Sequence, residues 1–473
     1  MVVFEKSSHF AYHLIKEIKS RVRIGEGAYE NDGFLQEKPL QRTFDALVGF
    51  KNIIETLKCN KVLCIATSAL RDAPNSKPFI KKVKQNLKID IKIIEGKKEA
   101  YYGAVAAKNL LMPINSAITI DIGGGSTELA LIKDGQVADT ISIDIGTVRL
   151  KELFLDKKAS SDEIEEYINE KISDIPKSFN MENLIVIGGT TRSFSELIMK
   201  KIEYPLKTVH GFEYNLDDYT DLLEEIKKSD LLNLKNLNIK KDRIDTIREG
   251  LYIFSKISKK LHSKKIITSG VGVREGVYLC DLLRNSNHTF PKNFRLSLKS
   301  LSDRFGLKDR QNSSIVRYTK QLFHALKYLH GIDDRYIDIL TTSAKLYNIG
   351  VCLNYYEKNL HSFYFIINGL NYGFSHNEKI LMALLIKYHM KKLPSRDDLK
   401  IYENLLPDIK IVNWLSFILS LSNCLHKDLA DDRFSFEYTN HTLHVKSSKK
   451  LYLASECIKK LAKPASFAIV LED

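Results

Sequence analysis

The feature that most constrains this chain is the run Asp121-Ile122-Gly123-Gly124-Gly125-Ser126-Thr127-Glu128, set between two apolar, strand-like segments. Glycines let a backbone come close to a ligand and point successive N–H groups into one concavity, a shape suited to phosphate oxygens. Ser126 and Thr127 add hydroxyl donors. Asp121 at the end of one strand and Glu128 on the next put carboxylates where Mg²⁺ would sit, through water. A tight glycine turn with ordinary flanking acids is the plainer alternative. Glycine turns are common, whereas acid, three glycines, Ser-Thr and acid bounded by strands are not.

The flanking sequence predicts mixed α/β structure. AITIDI, STELALI and TISIDI read as a three-strand meander whose second turn is Asp134-Gly135, a strong hairpin signal. Upstream, KVLCIATSAL and IDIKIIEG read as strands separated by a helix over PNSKPFIKKVKQNLK, with Asn75 and Ser76 as its caps. Strand, helix, strand at this spacing implies a mostly parallel sheet. NLIVIGG and KKIITSGVG are two further strands, each running into glycines and then a helix. The polar stretch RNSNHTFPKNFR, ending at Arg295, reads as a linker. Beyond it the pattern is helical to about Pro407, then a β-hairpin and a last helix over FSFEYTNHTLHVKSSKKLYLA. The expectation is two α/β domains followed by one mainly helical domain.

Composition sets the outer limits. The 473 residues are 44% hydrophobic and 27% charged, which describes a folded globular chain and excludes fibrous or disordered classes. The length suggests roughly two to four domains. No apolar run reaches the ~20 residues of a bilayer span, and the start lacks a secretory signal, so a cytoplasmic protein without a membrane partner is expected. The six cysteines are scattered without CxxC pairing, which reads as thiols in a reducing compartment. Lys plus Arg exceed Asp plus Glu by 72 to 58, a net charge of +14. That surplus suits an anionic partner, although an AT-rich genome would produce the same excess of lysine.

Four further segments carry chemistry. In Ile93-Ile94-Glu95-Gly96-Lys97-Lys98-Glu99-Ala100 a strand enters a helix, and a carboxylate at that junction is placed to deprotonate water. Taken alone, Glu99 is read more simply as an acid favoured in a first helical turn. Ala66-Thr67-Ser68-Ala69-Leu70-Arg71 ends a strand with an arginine suited to bidentate phosphate binding, or to a surface ion pair. Gly188-Gly189-Thr190 and Ser269-Gly270-Val271-Gly272-Val273-Arg274-Glu275-Gly276 fit ligand-facing turns at the ends of strands, or close helix–sheet packing. The thirteen histidines show no metal-ligand spacing. Where a His-Asp metal phosphohydrolase would carry its His-Asp pair, the chain has Tyr347-Asn348, so His361 and His389 read as core or surface histidines.

Together, RVRIGEG, ATSALRDAPN, IIEGKKEA, DIGGGSTE, GGT and SGVGVREG resemble, in order, the Ppx/GppA family of exopolyphosphatases and guanosine pentaphosphate phosphohydrolases. The resemblance covers roughly the first 285 residues. It implies two actin-like (ribonuclease H-like) domains, over 1–106 and 107–288, and a helical, degenerate His-Asp-like domain over 289–473. It implies Glu99 as the base that activates water, reversing the simpler reading of that residue, with Arg71 beside it. Asp121 and Glu128 become the metal-associated acids for Mg²⁺ or another divalent cation. Gly123, Gly124, Gly125, Ser126 and Thr127 become the phosphate loop, and Arg274 and Arg23 phosphate contacts.

The implied activity is Mg²⁺-assisted hydrolysis of the terminal phosphate of polyphosphate or the 5′-phosphate of guanosine pentaphosphate. A homodimer is carried over from the family, and no specific nucleic acid is expected. Two other classes stay open: a non-catalytic sensor of the alarmone or polyphosphate, and a kinase or ATPase of the actin-like superfamily. Family members begin with a strand and a loop of the form Asp-x-Gly-Ser-Asn-Ser. Met1-Val2-Val3-Phe4-Glu5 resembles the strand that follows that loop, so the expectation is a start downstream of it.

Overall fold

The computed structural model describes residues 1–157, 159–237, 239–241, 243–307, 309–389, 392–428 and 433–472. The chain divides into two compact units, one comprising Met1–Lys6 and Tyr12–Phe294, the other Ser7–Ala11 and 295 onward.

The first unit opens with the antiparallel pair β1 (Val2–Lys6) and β2 (Tyr12–Glu17). The parallel pair β3 (Cys64–Ala66) and β4 (Ile91–Ile93) follows, joined through helix α1 (Ser76–Leu87). Phe79, Val83 and Leu87 recur at helical spacing on α1 and pack with Leu70, Ile89 and Ile91. Asn75 precedes α1 but does not cap it with its side chain. Its amide instead exchanges two 2.9 Å hydrogen bonds with the backbone of Leu35, tying down the preceding loop.

Helix α2 (Gly96–Leu110) leads into a six-stranded sheet. Its strands are β5 (Ala117–Ile122), β6 (Thr127–Lys133), β7 (Gln136–Ile143), β8 (Asn183–Ile187), β9 (Glu213–Asn215) and β10 (Lys265–Thr268), in the order β7-β6-β5-β8-β10-β9. β5, β8 and β10 are parallel, and β5-β6-β7 form the antiparallel meander. Asp134 and Gly135 turn the second hairpin with φ of +52° and +69°, as a tight two-residue loop between twisted strands requires.

Period-two alternation decides which face of this sheet carries chemistry. Ile118, Ile120, Ile122, Leu129 and Leu131 enter one core, shared with α3 (Ser161–Ile172), α4 (Gly189–Lys201) and α5 (Ile247–Lys260). Ala117, Ala130 and Ile132 face the other way, against Ala100, Ala104 and Ala107 of α2. Asp121 and Glu128 are register partners on that second face, under α2. Small residues bring the backbones close there. A Cβ on Gly276 of helix α6 (Val273–Leu282) would fall 1.9 Å from the Tyr102 carbonyl of α2.

The second unit is mainly helical, with α7 (Asp309–Ala325), α8 (Tyr336–Leu346), α9 (Lys358–Gly369), α10 (His376–Lys387), α11 (Ile409–Leu425) and α12 (Tyr452–Ile458). The expected hairpin is β11 (Ser435–Thr439) with β12 (Thr442–Lys446). A strand the sequence did not betray, β13 (Ala468–Glu472), adds in parallel to β12. Among the described residues no single helix is long and apolar enough to cross a membrane. One expectation is corrected. Cys424 on α11 and Cys457 on α12 are joined as a disulfide, because the packing of the two helices brings their Cα atoms to 5.4 Å. Cys280 is a buried thiol and Cys352 an exposed one.

Candidate active site

The site is built from the end of β5, the start of β6 and the first turn of α2. Asp121 and Glu128 stand opposite one another across the β5–β6 ladder. Glu99, in the first turn of α2, lies near enough for its charge and theirs to act on one another. Burial pushes the Glu99 carboxyl up to about 7, helped by the negative charge of Asp121 and opposed by Arg71. Burial, then the charge of Glu99, pushes Glu128 up to about 8, while hydrogen bonds from Ser126 and Ser142 oppose the rise. The Ser142 hydroxyl donates to Glu128 Oε1 at 2.9 Å. Asp121 is also raised by burial, and the nearby Arg192 pulls the other way.

Two arginines answer this charge. Arg71 Nη1 lies 3.6 Å from Glu99 Oε2 and donates to the Ile94 carbonyl at 3.2 Å. Arg192 donates through Nε to the Ser269 carbonyl at 2.6 Å and through Nη2 to the Val271 carbonyl at 3.0 Å. It ties the helix after Gly188-Gly189 to the SGVG turn, with Asp121 as the largest carboxylate influence on it.

The glycine loop closes on itself through the Gly123 N–H to the Ser126 carbonyl, 2.9 Å. The carbonyls of Gly123 and Gly124 accept from the N–H groups of Thr147, Val148 and Arg149 at 2.9–3.1 Å. That contact leaves no room for side chains. A Cβ on Gly146 would fall 2.4 Å from the Gly124 carbonyl oxygen, and one on Gly125 would fall 2.2 Å from the Tyr29 hydroxyl.

The structure therefore gathers Glu99, Arg71, Asp121, Glu128, Gly123, Gly124, Gly125 and Ser126. It does not bring the Thr127 hydroxyl to the loop's open side, since that group is buried and donates to the Ile145 carbonyl at 2.7 Å. Arg274 is turned to Glu17, 2.9 Å away, and Arg23 pairs with Asp245, which also meets Arg21 at 3.2 Å. Gly188 has φ +94° and passes so close to Asp121 that a Cβ would meet its Oδ1 at 2.7 Å. Gly270 is a packing glycine against His210.

Sequence reasoning missed Arg192, Ser142 and the pair Asp72–Arg149. Arg192 lies two residues beyond the GGT signal. Asp72 directly follows Arg71 in ATSALRDAPN, whereas nothing local marks Ser142 or Arg149, whose roles arise from contacts elsewhere in the chain. In the helical unit His389 is wholly buried, with Nδ1–H on the Ile386 carbonyl and its ring edge-on to Tyr347 at 5.3 Å. Met390 and Lys391 of the KYHMKK segment lie outside the described residues.

Among the described residues no three His, Cys, Asp or Glu side chains converge tightly enough to hold an ion by themselves. Asp121 and Glu128 offer carboxylate oxygens from one face of two adjacent strands. That donor set fits a hard cation that takes one or two protein carboxylates and fills its remaining positions with water and phosphate oxygens.

A family model for the Ppx/GppA phosphatase family matches residues 2–285, and one for domain III of that family matches residues 295–460. A guanosine-5′-triphosphate,3′-diphosphate pyrophosphatase of Pseudoalteromonas translucida is 24% identical over 407 residues, 83% of this chain and 78% of its own length. A bifunctional 3-dehydroquinate synthase/phosphatase of Fusobacterium nucleatum is 32% identical over 264 residues, 52% of this chain but only 39% of the relative. The solved structure of the Aquifex aeolicus Ppx/GppA family member superposes with a TM-score of 0.52 at 25% identity, covering 60% of this chain and 94% of that one. The architecture is thus the expected one, actin-like α/β domains followed by a helical domain III.

Proposed function

Because this chain belongs to the Ppx/GppA phosphatase family and is a hydrolase, we propose that it cleaves terminal phosphoric anhydride bonds by in-line attack of water. The substrates are inorganic polyphosphate or the 5′ end of guanosine pentaphosphate. One observation above all supports this reading: a half-buried carboxyl at Glu99, raised to about 7, stands 3.6 Å from Arg71 in the first turn of the helix that covers the Asp121–Glu128 pair.

In this mechanism Glu99 accepts the proton of the attacking water, the work of a base whose affinity for protons lies near the working pH. Arg71 orients that carboxylate and holds an oxygen of the transferred phosphoryl group. The exposed backbone of Gly124 faces the same group, while Ser126 is buried and holds Glu128; such preorganised donors act most strongly on charge that spreads in the transition state. Arg192 offsets the charge of Asp121 from behind. Asp121 and Glu128 would hold Mg²⁺ or another divalent cation, whose chemistry is to neutralise phosphoryl oxygens.

The test is phosphate release from tripolyphosphate and from guanosine pentaphosphate by the whole chain, with and without EDTA. Release that requires a divalent cation and is largely lost in Glu99→Gln is expected. Tight binding of both compounds with release from neither would overturn hydrolysis in favour of a sensor.

A further inference from the structure

We propose that Arg149, set by Asp72 and Tyr29, forms a second anion subsite that takes the penultimate phosphoryl group of an anhydride. The inference rests on reading the acid cluster as a phosphohydrolase centre. Arg149 was invisible to motif reasoning, yet its place is closely fixed. Its N–H donates to the Gly124 carbonyl at 3.1 Å, which pins its backbone against the glycine loop. Its side chain is only 17% exposed and crosses to residues far upstream: Nη2 lies 3.6 Å from Asp72 Oδ2, and the guanidinium lies 4.9 Å from the centre of the Tyr29 ring. The Tyr29 hydroxyl in turn abuts Gly125. The Tyr29 loop is held by the Gly27 N–H on Glu152 Oε1 at 3.1 Å.

Two features point from this arrangement to an anion. The first is charge. Asp72 is shared, receiving Arg71 Nε at 3.2 Å on Oδ1 and facing Arg149 with Oδ2. Arg149 shares Asp72, its ion-pair partner among the described residues, with Arg71, so its charge is incompletely answered beside the loop. The second is hydrogen bonding. The Nε of Arg149 is buried and has no partner. Buried donors are seldom left unsatisfied, and an unsatisfied one on a fork-shaped cation suits an oxyanion. The Tyr29 ring and hydroxyl hold the guanidinium in place, so little freedom is lost when it binds. Arg71 serves the phosphoryl group beside Glu99, and Arg149, on the other side of Asp72, serves the next one.

The opposing account is a plain tie between the two ends of the site, with no ligand in view. Calorimetric titration of the whole chain with imidodiphosphate, which has two phosphoryl groups and resists hydrolysis, and with orthophosphate, which has one, separates the two. The expected result is that imidodiphosphate binds at least about tenfold more tightly than orthophosphate, the scale of one charge-assisted contact. In Arg149→Met that ratio should fall to within about twofold while orthophosphate affinity holds. Arg149→Lys, which keeps the charge but loses the fork, should fall between, and it serves if the Met variant does not fold. An unchanged ratio, or equal weakening of both ligands, overturns the subsite. The titration needs no turnover, so a chain that binds as described but releases no phosphate would instead overturn the hydrolytic reading.

Discussion

Two regions of this molecule bury ionisable side chains, and they do so to opposite ends. Around the glycine loop, burial raises Asp121, Glu99 and Glu128, while Arg71, Arg192 and two serines pull against it. In the helical unit His389 is buried more completely than Glu99 or Asp121, and burial lowers its affinity for protons to about 4. The charges that act on it, Lys358 and Lys427, are of its own sign, and no carboxylate is among them. The first region confines charge against countercharge and open backbone, an arrangement that resists each group's ordinary protonation state without abolishing it. The second removes charge altogether. Burial by itself is therefore no mark of a site. What separates the two is whether the surroundings hold partners for a charged form.

The largest effect should come from breaking the first region at its base. Glu99→Gln keeps shape and hydrogen bonding but cannot accept the proton, so turnover should drop by about 10²-fold or more with little change in imidodiphosphate affinity. Phosphate-release kinetics measure it, and near-normal turnover would remove Glu99 from that role. Next comes Gly146→Ala. Its Cβ would sit 2.4 Å from a backbone oxygen that has no easy escape, so the loop must shift. A displacement near 1 Å at reacting groups costs on the order of 10²-fold, and we expect a loss of about 10-fold or more with the melting temperature only modestly lowered. Asp121→Asn and Glu128→Gln should each raise the Mg²⁺ concentration for half-maximal rate by about tenfold, because hard cations depend on anionic oxygens. Activity that persists in EDTA would end the metal assignment.

Acidity sharpens the comparison, since the two regions should respond in opposite directions. Glu99 and Glu128 hold protons more tightly folded than unfolded, so their contribution is fully present below the ordinary carboxylate range and is lost as pH rises through about 7 to 8. His389 is the reverse. The unfolded chain binds its proton first, so stability falls as pH drops from the usual histidine range toward about 4. Hydrogen exchange followed separately in the two units, in EDTA, should show the first unit opening more readily at pH 8 than at pH 6 and the second more readily at pH 5 than at pH 7. Parallel slopes would refute the assignment of either burial. Added Mg²⁺ should flatten the slope of the first unit alone.

Much of this was legible in the residues themselves. Alternation along AITIDI and STELALI predicts both strands, and their shared turn at Gly123–Gly125 makes Asp121 and Glu128 partners. Local signals also placed Asp134-Gly135 and the helix that begins at Ser76. Hidden were the contacts that depend on long-range closure. Thr127 looks like a donor in the motif, yet its position on β6 turns its hydroxyl inward to Ile145. Arg274 sits in a convincing glycine turn, yet Glu17 claims it from 257 residues away. Cys424 and Cys457 have no paired spacing because helix packing, not sequence proximity, joins them. β13 escaped because KPASFAIVLED is short and borrows its partner from an earlier hairpin.

The smallest expected effect is the sharpest break in the comparison. If His389 is only core, replacing it with a hydrocarbon of similar bulk should cost little. His389→Leu puts an apolar group beside the Tyr347 ring and frees the Ile386 carbonyl, which now receives the Nδ1–H. A lost buried hydrogen bond costs about 1–3 kcal/mol, while the removed polar atom and its desolvation offset part of that. The net change should be about 1 kcal/mol, seen as a shift of a few degrees in the melting of the helical unit and as loss of its acid-side slope. Turnover on tripolyphosphate should stay within about twofold of the parent. A tenfold fall in turnover at unchanged melting temperature would mean that the helical unit takes part in the reaction through this histidine. In that case its low proton affinity would be a tuned property rather than a by-product of packing, and the contrast between the two regions would fail.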